Sequence, residues 1–393
     1  MGRGSQSVRL HTAKRKKKLK PNTYDFTVLF VVLMLVLFGI VMIFSASYYY
    51  TMTTKKFGFD MFYFLKRQMV WAGLGIFAMA FMMNFPYQLL KKFAFAAYAV
   101  ANICLVLVQL VGTRINGQKR WLGITDSLGF QPSEVAKIAV ILYLSFYICT
   151  HKDCLKDLKG FFKCLIILMI PVALIAISNF STAIVLTAVG ATILFIASPR
   201  IWYFVVAAIP VGLAGVVAVS LESVRYRLGR IQIWLDPFSD PTNKGYQIIQ
   251  SLYAVASGGL FGLGLGQSRQ KTFIPEAYND IIFAIISEEL GMVGAGLVIL
   301  LFAVLIWRGI RVALNAQDMY GCLVASGITA QIAFQSIINI AVVTNTIPNT
   351  GQPLPFISYG GTSLVFTMGM MGILLNISKY QKVRDDRVSA KNY

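Results

Sequence analysis

Gly262 to Gly291 reads GLGLGQSRQKTFIPEAYNDIIFAIISEELG, and it fixes the class of the whole chain. Glycines at alternate positions lead into a polar basic run, Ser268-Arg269-Gln270-Lys271. A turn at Pro275-Glu276 follows, and an apolar helix then carries Asp280, Glu288 and Glu289. Carboxylates are costly inside a bilayer, so acids embedded in such a helix are functional candidates.

The remainder of the chain supplies the bilayer context. Of 393 residues, 57% are hydrophobic and 13% charged, with a formal net charge of +20 and a mean hydropathy of +0.67. This composition describes an all-α polytopic membrane protein rather than a large soluble core. The first apolar run begins after Tyr24, exceeds about twenty residues and has no small-residue cleavage site behind it, so it reads as a span rather than a signal peptide. Cys104, Cys149, Cys154, Cys164 and Cys322 are scattered without CxxC spacing, which predicts neither a disulfide framework nor a zinc site.

Apolar windows able to cross ~30 Å of hydrocarbon predict about ten transmembrane helices. They fall near 25–47, 68–85, 93–112, 133–150, 161–178, 181–198, 201–221, 281–307, 320–345 and 362–378. Residues 1–24, with Lys14 to Lys18, form a basic tail, 25–378 a single transmembrane domain, and 379–393 a second basic tail. The positive-inside rule puts both tails in the cytoplasm, the first of them against anionic lipid. The loop 222–280 then lies outside. Its apolar residues argue for order, and Tyr246, Ile249, Tyr253 and Ala256 have helical spacing. Packing of the loop on its own helices would explain the same residues.

Three further stretches fall on that face. NGQKRWLGI, Asn116 to Ile124, groups Lys119, Arg120 and Trp121, a combination suited to an anionic head group. QPSEVAK places Gln131, Glu134 and Lys137 on one helical face, with Pro132 as a helix start. Glu134 and Lys137 can neutralise each other, face substrate, or do both. NTIPNTGQPLPFISYGG, Asn345 to Gly361, contains Ser358 and no charge, and its prolines and glycines predict a rigid non-helical segment.

The only histidines, His11 and His151, lie in a basic tail and at the cytoplasmic end of a span, which excludes His-based triads and His-rich metal sites. No GxSxG elbow or Walker loop occurs. Gly262, Gly264 and Gly266 lack the βαβ context of a dinucleotide loop and point instead to a tight turn or close packing. Carboxylates remain. Asp280, where a polar loop meets an apolar helix, is either a general base with a pKa raised by desolvation or, with Asn279, the N-cap of the next helix.

The motifs NGQKRW, QPSEVAK, LDPFSDPTNKGYQIIQSLYAVASGGLFGLGLGQSRQK, PEAYNDIIFAIISEELG and LPFISYGGTS together resemble the SEDS family of peptidoglycan glycosyltransferases, the FtsW/RodA/SpoVE group, over residues 25–380. The GLGQSRQK form is closest to the division and sporulation branch. The resemblance implies ten membrane helices with a large extracytoplasmic loop between the seventh and eighth. It also implies polymerisation of lipid II at the outer face of the cytoplasmic membrane, beside a class B penicillin-binding transpeptidase. The family's essential aspartate falls on Asp280, as general base on the acceptor hydroxyl, optionally with a divalent cation such as magnesium or manganese. Arg120, Lys137, Arg269 and Lys271 are the candidates to offset pyrophosphate charge. Trp121, Gln131, Glu134, Glu276 and Ser358 complete the expected substrate site.

The chain departs from the family pattern in three places. Asn179 replaces an aspartate in Ile177 to Thr182, Tyr278-Asn279-Asp280 replaces His-Thr-Asp, and Asn345 replaces a glycine. Two rival functions fit much of the same sequence, a flippase for the lipid-linked precursor and an inactive scaffold for a division transpeptidase.

Overall fold

The computed structural model describes residues 23–115, 118–123, 129–151, 153–207, 222–243 and 245–380. The described residues are mostly helical, with almost no strand. Helices α1 (Phe26–Thr53), α2 (Tyr63–Asn84) and α3 (Tyr87–Val111) lead into short strands β1 (Thr113–Ile115), β2 (Gln118–Gly123) and β3 (Gly129–Phe130). Both strand pairs, β1 with β2 and β2 with β3, are antiparallel. Helices α4 (Pro132–Thr150), α5 (Leu158–Ser178) and α6 (Phe180–Ala197) follow, then α7 (Glu222–Leu235) and α8 (Tyr246–Ser257). Helices α9 (Ile282–Leu314), α10 (Met319–Val343) and α11 (Gly361–Lys379) complete the bundle.

Eight of these, α1, α3, α4, α5, α6, α9, α10 and α11, are long and apolar enough to cross a membrane. The expected second span corresponds to α2, whose hydropathy is lowered by Lys66, Arg67 and Gln68 in its first turns. It is nonetheless bundled, because Phe64, Gln68, Ala72, Gly75 and Met79 recur every three or four residues and form one buried stripe. Small residues let it approach α11 closely. A Cβ on Gly75 would strike the Met368 sulfur at 2.5 Å, and one on Gly372 would strike the Met79 carbonyl at 2.4 Å. Most of the expected seventh span, the basic cluster Lys14 to Lys18 and the C-terminal tail from residue 381 lie outside the described residues.

Local signals explain the helix ends. Asp25 caps α1 by accepting from the Thr27 and Val28 amides at 3.1 and 3.2 Å. Pro132 occupies the first turn of α4, where its missing N–H costs nothing. Asn179, which stands where the family has an aspartate, accepts from the Thr182 amide at 3.2 Å and caps α6. An amide oxygen serves that purpose as well as a carboxylate, so the local structural role survives the replacement.

One end of the bundle is tied by polar links between distant helices. Arg308 pairs with Asp25 at 2.7 Å and Lys91 with Asp318 at 2.8 Å. The Tyr87 amide donates to Asn376 Oδ1 at 2.9 Å. The other end carries β1–β3, α7, α8 and the segment 258–281.

That segment is built into a broken helix. Gly291 adopts φ 67° and ψ −165°, which splits α9 after Leu290. The amides released by the break find carbonyls in the glycine loop, Met292 N to Gly259 O at 2.9 Å and Val293 N to Leu260 O at 3.1 Å. In return Leu263 N and Gly264 N donate to the Glu288 and Glu289 carbonyls at 2.9 and 3.0 Å. A broken helix at membrane depth is tolerated when protein satisfies the freed groups in this way. Gly262, Gly264 and Gly266 all have positive φ, and a Cβ on Gly262 would sit 2.2 Å from the Glu289 carbonyl oxygen. The alternating glycines therefore provide both the turn and the close packing.

Gly262→Ala combines left-handed strain with a backbone clash, and its expected cost is at least about 1–3 kcal/mol. Gly259→Ala is the control, since φ is +53° there but nothing lies within 4 Å of the added methyl. Thermal unfolding of the two variants in detergent should show the larger loss at Gly262. Equal melting temperatures would contradict the backbone contact.

Helix α8 contains the residues at helical spacing, Tyr246, Ile249, Tyr253 and Ala256. The covered residues are Ile248, Ile249, Ser251 and Ala254, whereas Tyr253 is 48% exposed and Ala256 points outward. The Ser251 hydroxyl donates to the Val343 carbonyl at 3.2 Å, which turns that side toward α10.

Candidate active site

Asp280 lies just before α9, outside the helix proper. The N-cap position belongs to Ile281, and no side chain makes a cap hydrogen bond there. Asp280 is held through its backbone: Asn339 Nδ2 donates to the Asp280 carbonyl at 2.7 Å and to the Gln352 carbonyl at 2.8 Å. Asn339 is the last of three polar residues, Gln331, Gln335 and Asn339, spaced one turn apart on α10. Gln331 Nε2 donates to Gln335 Oε1 at 2.9 Å, and Gln335 Nε2 donates to the Pro353 carbonyl at 3.0 Å. Gln352 Nε2 in turn donates to Thr182 Oγ1 at 3.0 Å. A ladder of amides thus fixes both the aspartate and the non-helical segment facing it.

That segment is also stitched directly to the chain before Asp280. The Ser358 hydroxyl donates to the Asn279 carbonyl at 2.6 Å while accepting from the Leu354 amide at 2.8 Å. The Tyr359 amide donates to the Tyr278 carbonyl at 2.9 Å. Ser358, expected at the substrate, is buried and spends its hydroxyl on this seam. Gly351, with φ +64°, leaves room beside the carboxylate, since a Cβ there would lie 3.6 Å from Asp280 Oδ2.

The electrostatics suit a base. Burial by the surrounding protein is the main influence on Asp280 and raises its pKa to about 6. Its own backbone N–H opposes that rise, the neighbouring Glu276 carboxylate adds to it, and the charge of Arg230 lowers it. Glu276 has φ 51° and accepts from Asn279 Nδ2 at 2.7 Å. Together with Asp280 it gives the site two carboxylates near each other. Among the described residues no group of three or more His, Cys, Asp or Glu side chains could hold a metal ion.

The other expected residues fall into distinct places. Lys137 pairs with Glu134 at 2.9 Å, the side chains being 2% and 7% exposed, and Ser363 Oγ donates to the same Glu134 oxygen at 3.1 Å. Gln131 precedes α4 at its N-cap position without a side-chain cap bond. Arg120 Nε donates to the Ser178 carbonyl at 2.9 Å, tying β2 to the end of α5. Trp121 packs over Gly129 of β3.

Lys271 is enclosed. Its ammonium reaches Glu289 at 3.1 Å with both side chains at most 2% exposed, donates to the Gly266 carbonyl at 2.6 Å and stands 4.6 Å over the Tyr48 ring. Glu289 also accepts from Ser45 Oγ on α1 at 2.6 and 2.7 Å. Glu288 accepts from Ser268 Oγ and, at 2.9 Å, from the Arg269 amide. The two acids singled out as functional candidates are therefore anchors of the glycine loop. Arg269 contributes to them through its backbone.

Sequence reasoning missed Asn339, Gln352 and Arg230. The i, i+4, i+8 stripe of amides in an otherwise apolar helix was the available signal for the first. Arg230 and Gln352 had none, since their neighbours are distant in the chain.

Comparison with known proteins adds an independent line. The family model FTSW_RODA_SPOVE, described as cell cycle protein, matches residues 26–383. Stage V sporulation protein E of Bacillus subtilis (strain 168) is 43% identical over 371 residues, covering 93% of this chain and 99% of that protein. The probable peptidoglycan glycosyltransferase FtsW of Geobacter sp. (strain M18) is 39% identical over 360 residues, with 90% and 96% covered. Among solved structures, a chain of a peptidoglycan synthase complex that coordinates polymerization and crosslinking superposes with a TM-score of 0.76 at 25% identity, covering 91% of this chain and 99% of that one. The rod shape determining protein RodA of Thermus thermophilus superposes with a TM-score of 0.63 at 25% identity, with 91% and 98% covered.

Proposed function

The chain belongs to the FtsW, RodA and SpoVE family of cell cycle proteins, and from that premise we propose that Asp280 is the general base with which it polymerises lipid II. The protein is a multi-pass membrane peptidoglycan glycosyltransferase. In the proposed step the 4-hydroxyl of one disaccharide gives its proton to an Asp280 carboxylate oxygen as its oxygen bonds to C1 of the next. The C1–O bond to pyrophosphate breaks, and undecaprenyl pyrophosphate leaves. The observation that carries this reading is a carboxylate at the helix mouth, half-buried, free of any capping duty and raised to a pKa of about 6.

The rest of the reading follows from charge and partners. The bundle end with Asp280 faces outward and both basic tails face the cytoplasm. A divalent cation fits Asp280 and Glu276 in the way magnesium is usually held, by one or two carboxylates together with substrate phosphate oxygens. When bound it would offset the charge of the leaving pyrophosphate. Arg230 contributes positive charge beside the base. The partner is a class B penicillin-binding transpeptidase, which would cross-link the strands as they emerge.

Purified protein given labelled lipid II should form glycan strands, and the rate should follow the ionised fraction of Asp280. A base must be deprotonated to act, and burial lifts this group above the usual carboxylate range. Activity should therefore rise as pH increases through about 6, with a loss of about tenfold per unit on the acid side. Strand formation that is flat from pH 5 to 8 would remove Asp280 as the titrating base. Translocation of lipid II without any strand would support the flippase instead.

A further inference from the structure

A cavity of about 240 Å³ lies between α7, α8 and the last interhelical segment, lined by Arg230, Ile233, Asn243, Gln247, Ile248 and Asn349, and the charge of Arg230 in its wall acts on Asp280. Its walls are held together by polar contacts among those residues. Arg230 Nη1 donates to the Asn349 carbonyl at 3.1 Å, and Asn349 Nδ2 donates to Gln247 Oε1 at 3.4 Å. Asn349 is also the link to the reacting group. Its Oδ1 accepts from the Gly351 amide at 3.0 Å, and Gly351 is the residue whose missing side chain leaves space against Asp280 Oδ2.

We propose that this cavity is the acceptor subsite, holding the terminal N-acetylated hexose ring whose 4-hydroxyl attacks. The inference rests on the glycosyl transfer proposed above. Its chemistry decides between the groups a lipid-linked sugar could offer. Three carboxamides keep capacity beyond their contacts to neighbouring residues, since each NH₂ carries two donors and each oxygen two acceptor sites, which matches ring hydroxyls and an acetamido group. The isoleucines offer an apolar wall to the C–H face of a pyranose. A pyrophosphate would call for several cations or a cluster of backbone amides, and the lining has one arginine, already donating to a carbonyl. The volume is below that of a drug-sized pocket, so it suits one ring rather than a disaccharide. A ring seated there would present its 4-hydroxyl to the carboxylate past Gly351, where no side chain intervenes.

The test uses full-length protein in detergent with labelled lipid II, comparing wild type with Gln247→Leu and with Asn243→Ala. Asn243 is exposed, so its truncation leaves the fold intact. Each lost hydrogen bond to a non-reacting sugar group should raise KM, by about tenfold for Gln247→Leu, with kcat within about threefold of wild type. The β-1,4-linked disaccharide of N-acetylglucosamine should inhibit the wild type and lose potency in both variants. An unchanged KM in both variants, or a fall in kcat alone, overturns the subsite. It is equally overturned if inorganic pyrophosphate, and not the disaccharide, loses its inhibition. If the wild type itself made no glycan, the proposed activity would fail first, a result distinguishable from either.

Discussion

Asp280→Asn is expected to fold normally, bind lipid II and synthesise glycan about 10² to 10⁴-fold more slowly, the usual worth of a positioned base. The substitution keeps size and hydrogen-bonding capacity while removing the proton acceptor. Had Asp280 capped α9, Asn would have been harmless and only Ala damaging. The cap position belongs to Ile281, with no side-chain cap bond, so Asp280→Ala should match Asp280→Asn in both melting temperature and lost activity. The backbone contact from Asn339 to the Asp280 carbonyl is preserved in either variant, so neither should shift the loop. Glycan synthesis undiminished in Asp280→Asn would sink the mechanism and leave the fold untouched.

The second large effect concerns the pair inside the bundle. Lys137→Met alone would leave the Glu134 carboxylate, 7% exposed, with Ser363 as a neutral donor. Removing one member of a buried ion pair costs about 3–5 kcal/mol, because the other charge remains desolvated. Replacing both, as Glu134→Gln with Lys137→Met, removes the uncompensated charge and should recover much of the stability. Thermal unfolding of the two single variants and the double variant in detergent measures this coupling. Strictly additive losses would show that each residue acts through some other contact. Recovery of stability without recovery of glycan synthesis would add a role toward substrate for one of the charges.

The bundle was legible because its signals are contiguous. Long apolar runs and Pro132 at the head of one of them are visible without any neighbour. Asp280 stood out for the same reason, as an acid at the boundary of such a run. What the sequence hid depends on contacts between distant parts of the chain. Helix α7 interleaves Arg225, Arg227 and Arg230 with its apolar residues, so it does not stand out as an apolar run, and it is held by residues over a hundred positions away, as when Trp234 Nε1 donates to the Asn345 carbonyl at 2.9 Å. The strands β1–β3 are too short to produce a clear alternation. Glu288 and Glu289 read as functional acids because burial of charge is visible in sequence, whereas the serine hydroxyls and backbone amides that satisfy them are not.

The break at Gly291 also determines how force and motion are distributed. The nine residues from Ile282 to Leu290 share a helix label with Met292 to Leu314, yet mechanically they belong to the loop. Two backbone hydrogen bonds, Lys271 and the two glutamates bind that stub to residues 263–271, and two more bind Met292 and Val293 at the head of the shaft to Gly259 and Leu260. A pull or twist on the long shaft therefore meets the glycine loop as well as the joint, because the loop is bonded to both sides of the break. A load on the glycine loop is likewise shared between the shaft and the stub, which follows Asp280 in the chain. Anything that grips that loop is therefore coupled to the stub that begins two residues after Asp280.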